Sequence, residues 1–173
     1  AKGRMGGFQL WANLPASRKM MDPRYRDVKR SEIPDLPMEG GAKVKIVCGW
    51  VNGVQGPVRD IVTDPEYLDV AVPKGGRFTH PVKKGHTVFA YVVEGSACFD
   101  AGRDPHARET LVHYGDGDAV SITAEKEPVR FLLVSGKPIG EPVAWYGPIV
   151  MNTAEEIRIA FDEYRNGTFI KHR

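Results

Sequence analysis

The sequence predicts an all-β fold, a barrel or sandwich of short strands, with a single α-helix at the C-terminus. Three observations predict it. Apolar runs of strand length recur at close spacing from residue 43 to residue 134. Turn chemistry rich in Gly, Pro and Asp separates them (VNGVQGP, PKGGRF, AGRDPH, HYGDGD, EKEP), which favours a sandwich or barrel over βαβ units. Helical spacing enters only near the end, after residue 151.

Taken in order, segment 7–14 (GFQLWANL) is aromatic-rich and reads as a strand that Pro15 ends. Residues 17–21 lead into a turn. Residues 22–42 carry three prolines and many charges, so they read as an extended linker over a surface. Strands are expected at 43–51, 58–62, 67–72, 87–93, 96–99, 109–113, 118–122 and 129–134. No internal repeat of solenoid length is present. The helix begins at Asn152 or Thr153, where Thr153 and Glu156 form a capping box. Ile157, Ala160, Phe161 and Tyr164 then share one apolar face, and Asn166-Gly167 supplies a left-handed stop.

The 173 residues suffice for one good core and part of a second. Lys+Arg 24 against Asp+Glu 22 leaves a nearly neutral chain, so no overall charge argues for nucleic acid or an anionic membrane. No window approaches the ~20 apolar residues of a membrane span, and the start lacks a signal-peptide profile. Cys48 and Cys98 each sit in an apolar run and read as core thiols in a reducing interior. Localisation is expected to be cytoplasmic, or nuclear in a eukaryote.

The stretch GRFTHPVKKGHTVFAYVVEGS (76–96) has the form of a metal-binding barrel motif. Such motifs place His-x-His on one strand face, because side chains alternate with period two, and a glutamate a turn later. YVVEG (91–95) and YGDGDAV (114–120) are similar to the strand-and-turn frames of the two motifs of a cupin, a jelly-roll β-barrel. Counting back from Gly95 puts the glutamate position on Val88 and the two histidine positions near Val82 and Lys84; the second motif's histidine falls near Val120. Aliphatic groups and an ammonium do not ligate iron. His80 and His86 are separated by Pro81 and Gly85, which reads as a loop, and Glu94 as a solvent-directed turn residue. An improvised metal site would have to come from His80 and His86, with His106 or His113. No catalytic or cofactor-binding residue is assigned.

Other constellations read as structural. RYRDVKR (24–30) interleaves Tyr25 with basic residues, but nearby acids balance it. The glycine clusters lack a following Lys-Ser/Thr, and no serine has a nucleophile-elbow motif. Trp11, Trp50 and Trp145 are expected in core or inter-barrel packing, and Lys84 at a barrel mouth.

RMGGFQLWANLPASRKMMDPRY, the degenerate motif above and GDGDAVSITAEKEPVRFLLVSGKPIGEPVAWYGPIVMNTAEEI together resemble pirin and the pirin-like bicupins along the whole chain. The resemblance implies two cupin barrels, with iron or another divalent metal held in the N-terminal one by motifs that precede the GFQLW strand. Residues 1–21 would then be a remnant strand of that barrel, 22–42 a linker, 43–140 a degenerate C-terminal cupin barrel, and 141–173 an extension with the helix. It also implies two functions for the intact protein: a metal-dependent dioxygenase of the quercetin 2,3-dioxygenase kind, or an iron-dependent transcriptional co-regulator that binds proteins. This chain alone is expected to hold no metal or cofactor and to be non-catalytic. Its expected partners are its own N-terminal barrel or another copy, through residues 1–14 and the helix, with no membrane and no direct nucleic-acid contact. Exposed strand edges and aromatic side chains at residues 1–20 predict self-association or local disorder there.

Overall fold

The computed structural model describes residues 6–100 and 104–171. The strands are β1 (Asp35–Pro37), β2 (Lys43–Cys48), β3 (Trp50–Val51), β4 (Val54–Gln55), β5 (Glu66–Val72), β6 (Gly76–Pro81) and β7 (Thr87–Ala97). They continue with β8 (His106–Ala107), β9 (Leu111–His113), β10 (Ala119–Ala124), β11 (Val129–Gly136), β12 (Ala144–Tyr146) and β13 (Ile149–Met151), and the helix α1 spans Ala154–Arg165. Two compact units result: residues 25–138 form one, and the described residues up to Arg24 join those from Ile139 onward in the other.

The first unit is a jelly roll. Its large sheet has seven strands in the order β1-β2-β5-β11-β7-β8, with β9 also on β7; β6 and β10 form the opposing pair. All these pairings are antiparallel. Strict alternation creates the core. On β2 the pattern places Val44, Ile46 and Cys48 inward, and on β10 it places Val120, Ile122 and Ala124 inward. Phe131 of β11 meets Phe78 and Phe99 edge-on, at centroid distances of 5.9 and 5.3 Å. All three rings are fully buried, so truncating any of them costs ~3–5 kcal/mol.

The second unit is smaller. β12 and β13 pair as a hairpin, and α1 packs on both. Thr153 caps the helix by accepting from the Glu156 backbone N–H, and the Glu156 carboxylate accepts from the Thr153 backbone N–H at 2.9 Å. Gly167 takes φ +71, the predicted left-handed stop. The chain before the first unit is tied in by Ala16 N–H, which donates to Glu141 at 2.7 Å.

Several sequence expectations need correction. Residues 7–14 form no strand and pair with none among the described residues, because an apolar pattern supplies side chains and not a ladder partner. Residues 58–62 are not a strand: Val58 bridges only to Cys48, and Asp60 at φ +54 turns the chain away. Part of the segment read as linker joins the sheet, since β1 pairs with β2 and Ala42 is buried. The runs 87–93 and 96–99 fuse through residue 97 as β7, with a bulge opposite Arg130/Phe131. Gly95 sits there at φ +72, where a Cβ would lie 1.9 Å from the Pro128 carbonyl oxygen. β6, β12 and β13 were not anticipated. Trp11, Trp50 and Trp145 are exposed and not in the core. On α1, Ala160 is buried but Tyr164 is exposed.

Candidate functional site: a histidine–carboxylate cleft at the barrel end

The inward rows of β2, β5, β6, β7, β10 and β11 end at one mouth of the barrel. Those of β7 and β10 finish in the aliphatic Val88 and Val120, and that of β2 in Cys48. Three finish in polar groups. Glu66 shares parity with Leu68 and Val70 on β5, and His80 follows Phe78 inward on β6. Ser135 closes the row on β11 and lies directly opposite Glu66 in the antiparallel register.

His80 is 3% exposed and stacks on Phe78 at 5.9 Å with 12° between the rings. Its Nε2 is 2.9 Å from Glu66 Oε2. A buried imidazole without a partner would cost the desolvation of its polar nitrogens, and the carboxylate offsets that. Gly49 makes room for the carboxylate: its φ is +100, and a Cβ there would lie 2.9 Å from Glu66 Cγ. The pair forms the floor of a cavity of about 260 Å³. Trp50, Pro65 and Val82 wall it, while Asp64, Lys83 and His86 lie at the rim. Lys83 donates to Asp64 at 2.6 Å, and Asp64 adopts φ +43, an uncommon conformation that Asp tolerates.

The site residues expected from sequence divide accordingly. His80 is on a strand and points inward, contrary to the loop reading: β6 is short and has glycines before it, so its alternation is visible only once β10 pairs with it. His86 is in the following loop and does line the same cavity. His113 is on β9, and His106 is on β8, where its ring lies 6.2 Å from that of Phe99 and tilted 55° to it. Neither lines the cleft. Val88 and Val120 are buried core residues, Val82 is partly buried, and Lys84 is exposed. Glu94 lies within β7 with an exposed side chain, 3.5 Å from Arg130. Among the described residues, no group of three or more His, Cys, Asp or Glu side chains is arranged to hold a metal ion. The side chains at the four positions counted from the sequence, Val82, Lys84, Val88 and Val120, are three aliphatic groups and an ammonium, a set that does not fit iron. Glu66 was missed in the sequence, although its parity with Leu68 and Val70 marks it as inward-facing.

Two features lie elsewhere. On the outer face, Arg130 donates to both oxygens of Asp69, at 2.9 and 2.8 Å, and those bonds hold the guanidinium pKa above its ordinary range. In the smaller unit, Trp11, Leu14, Ile149, Met151, Phe161 and Phe169 line an apolar groove of about 640 Å³.

The Pirin C-terminal cupin domain family matches residues 67–170. The chain belongs to it. A pirin-like protein from Caulobacter vibrioides is 40% identical over 169 residues, covering 97% of this chain and 60% of that protein. Pirin from Homo sapiens is 38% identical over 167 residues, covering 92% of this chain and 56% of that protein. Among solved structures, a quercetin 2,3-dioxygenase from Acinetobacter baumannii superimposes with a TM-score of 0.83 at 30% identity, over 92% of this chain and 55% of that one. The chain thus spans less than two thirds of these relatives' lengths, and it is a pirin-like C-terminal cupin domain related to quercetin 2,3-dioxygenase-like proteins. Among the described residues no helix is long and apolar enough to cross a membrane.

Proposed function

We propose that this chain is the metal-free cupin half of a pirin-like protein. In that reading the intact protein performs metal-dependent dioxygenase chemistry of the quercetin 2,3-dioxygenase kind in a preceding barrel. This half contributes stability and contact surface, and alone it is non-catalytic. The observation that carries the reading is the chemistry of the barrel mouth. The positions counted from the sequence as ligand positions hold the buried valines Val88 and Val120, and the imidazole of His80 is taken up by Glu66. The apolar groove of the smaller unit is the surface proposed to meet the preceding barrel.

Metal content per chain tests this, measured with an intact mass on the same sample. Less than one-tenth of an equivalent of iron, nickel or copper after loading is expected. A stoichiometric metal lost on His80→Ala would overturn the reading.

A second reading makes this half a protein-binding module of an iron-dependent co-regulator, in a cytoplasmic or nuclear protein. The exposed aromatic side chains of the smaller unit, Trp11, Trp145 and Tyr146 among them, favour it. The intact protein separates the two: flavonol turnover with added iron, copper or nickel supports the first, and partner binding that survives metal removal supports the second.

A further inference from the structure

We infer that the barrel-end cleft is a binding site for a small organic amine: an ammonium head seated on Glu66 and Ser135, with an apolar body against Trp50. This rests on the metal-free reading of the barrel, since a metal on His80 and Glu66 would occupy the same floor.

Four observations converge on it. Ser135 is 6% exposed and lines the cleft, which places a hydroxyl in its wall. A hydroxyl in the wall of a cavity can accept from or donate to a ligand atom held there. Second, Ser135 stands directly opposite Glu66, so their Cβ atoms are ~4.5–5.5 Å apart and both can address one head group. Third, Asp64 and Glu66 against Lys83 leave one net negative charge in the lining when both imidazoles are neutral. That charge repels anions and attracts cations. Fourth, the half-exposed Trp50 lines the cleft together with Pro65 and Val82 and supplies an indole for the body of the ligand.

The chemistry follows from donor and acceptor counts. The Glu66 carboxylate offers acceptor sites beyond the one used by His80, and Ser135 Oγ can accept as well as donate. An ammonium carries three donors and no acceptor, which suits two acceptors and a π face. At about 260 Å³ the cavity lies just below the ~300–1,000 Å³ range of drug-sized pockets, so the ligand is small.

The test uses the full chain and three matched probes: benzylamine, benzyl alcohol and benzoate. Binding is followed by amide chemical shifts and by titration calorimetry at neutral pH. Benzylamine is expected to bind saturably, shifting amides at residues 64–66, 80–83 and 135, with benzyl alcohol at least tenfold weaker and benzoate not binding. Glu66→Gln should weaken benzylamine at least tenfold, Ser135→Ala severalfold, and Trp50→Ala severalfold. Benzoate binding as well as benzylamine overturns the inference, as does benzylamine binding that is unchanged in these variants. If Glu66→Gln does not fold, Trp50→Ala and Ser135→Ala still decide it. A parallel nickel titration keeps the two readings apart. Stoichiometric nickel binding that is lost in His80→Ala sinks the metal-free reading, while failure of the amine arm alone leaves that reading standing.

Discussion

Two glycines show how a residue's cost depends on its surroundings. Gly75 and Gly95 have nearly the same backbone, at φ +75 and +72. A Cβ on Gly75 meets nothing within 4 Å, whereas on Gly95 it would meet Pro128 O at 1.9 Å. Gly75→Ala should therefore cost only the left-handed penalty, about 1 kcal/mol. Gly95→Ala must in addition push apart the start of β11 and the bulge of β7, for a total of ~3 kcal/mol or more. Urea denaturation of the two variants checks this, and equal losses would show that the bulge is pliable. Tyr114 makes a second case. Its hydroxyl is buried without a partner among the described residues, and burial, with Asp100 nearby, pushes its pKa upward. Burial does the same to Tyr67 and to the Cys48 thiol. Groups whose pKa is raised in the folded state stay protonated there while the unfolded chain ionises, so stability holds at lower pH and falls as pH rises past the ordinary values of 9.0 for Cys and 10.0 for Tyr. Thermal melts should thus drop steeply above about pH 10, and less so in Tyr114→Phe, which removes the phenol that resists ionisation. At this scale the sequence marked His80 as a group with chemistry but not its partner. Glu66 is 14 residues away in the chain, and only the fold of β5 against β6 brings the two within 2.9 Å.

Elements were legible where their determinants are local. The helix α1 has its cap, its apolar spacing and its stop within fifteen residues of sequence; the cap and the stop formed as read, while of the apolar face Tyr164 stays exposed. Thr153→Ala removes the oxygen that accepts from Glu156 N–H and should cost about 1 kcal/mol, while Thr153→Ser should restore most of it. Circular dichroism at 222 nm through a thermal ramp reads the loss. A Thr153→Ala variant as stable as the parent would mean that packing on β12 and β13, not the cap, sets the helix start. Strands were legible when both faces carried signal, as on β2, β5, β10 and β11. β6 failed because its outward residues Arg77 and Thr79 follow two glycines and precede Pro81, and the pattern reads as turn until β10 supplies the ladder. Segment 7–14 failed in the opposite sense: its side chains are strand-like, but no described strand pairs with it. A β-strand is a property of two segments, and one of them does not announce the other.

At the scale of the whole molecule, the larger unit buries its apolar residues thoroughly, and the smaller one does not. Trp11, Val143, Trp145, Tyr146 and Tyr164 are each at least 65% exposed. Together with the groove lined by Leu14, Ile149 and Phe161, they make an apolar surface of the kind that soluble chains rarely leave uncovered. In the proposed function a preceding barrel covers it. For the 173-residue chain on its own, a second copy is the available cover, and the apparent mass in light scattering should rise with concentration. Replacing Trp11 and Trp145 with Ser should return the chain to a monomer without lowering its thermal midpoint, because neither ring belongs to the core cluster. Salt gives the complementary reading: association through apolar surface persists or strengthens at high ionic strength, whereas association through the charged rims would weaken. A chain that stays monomeric at every concentration would show that the two tryptophans are no docking surface. It would remove the support that exposure lends to both functional readings, and leave the barrel-end cleft as the molecule's remaining candidate for recognition.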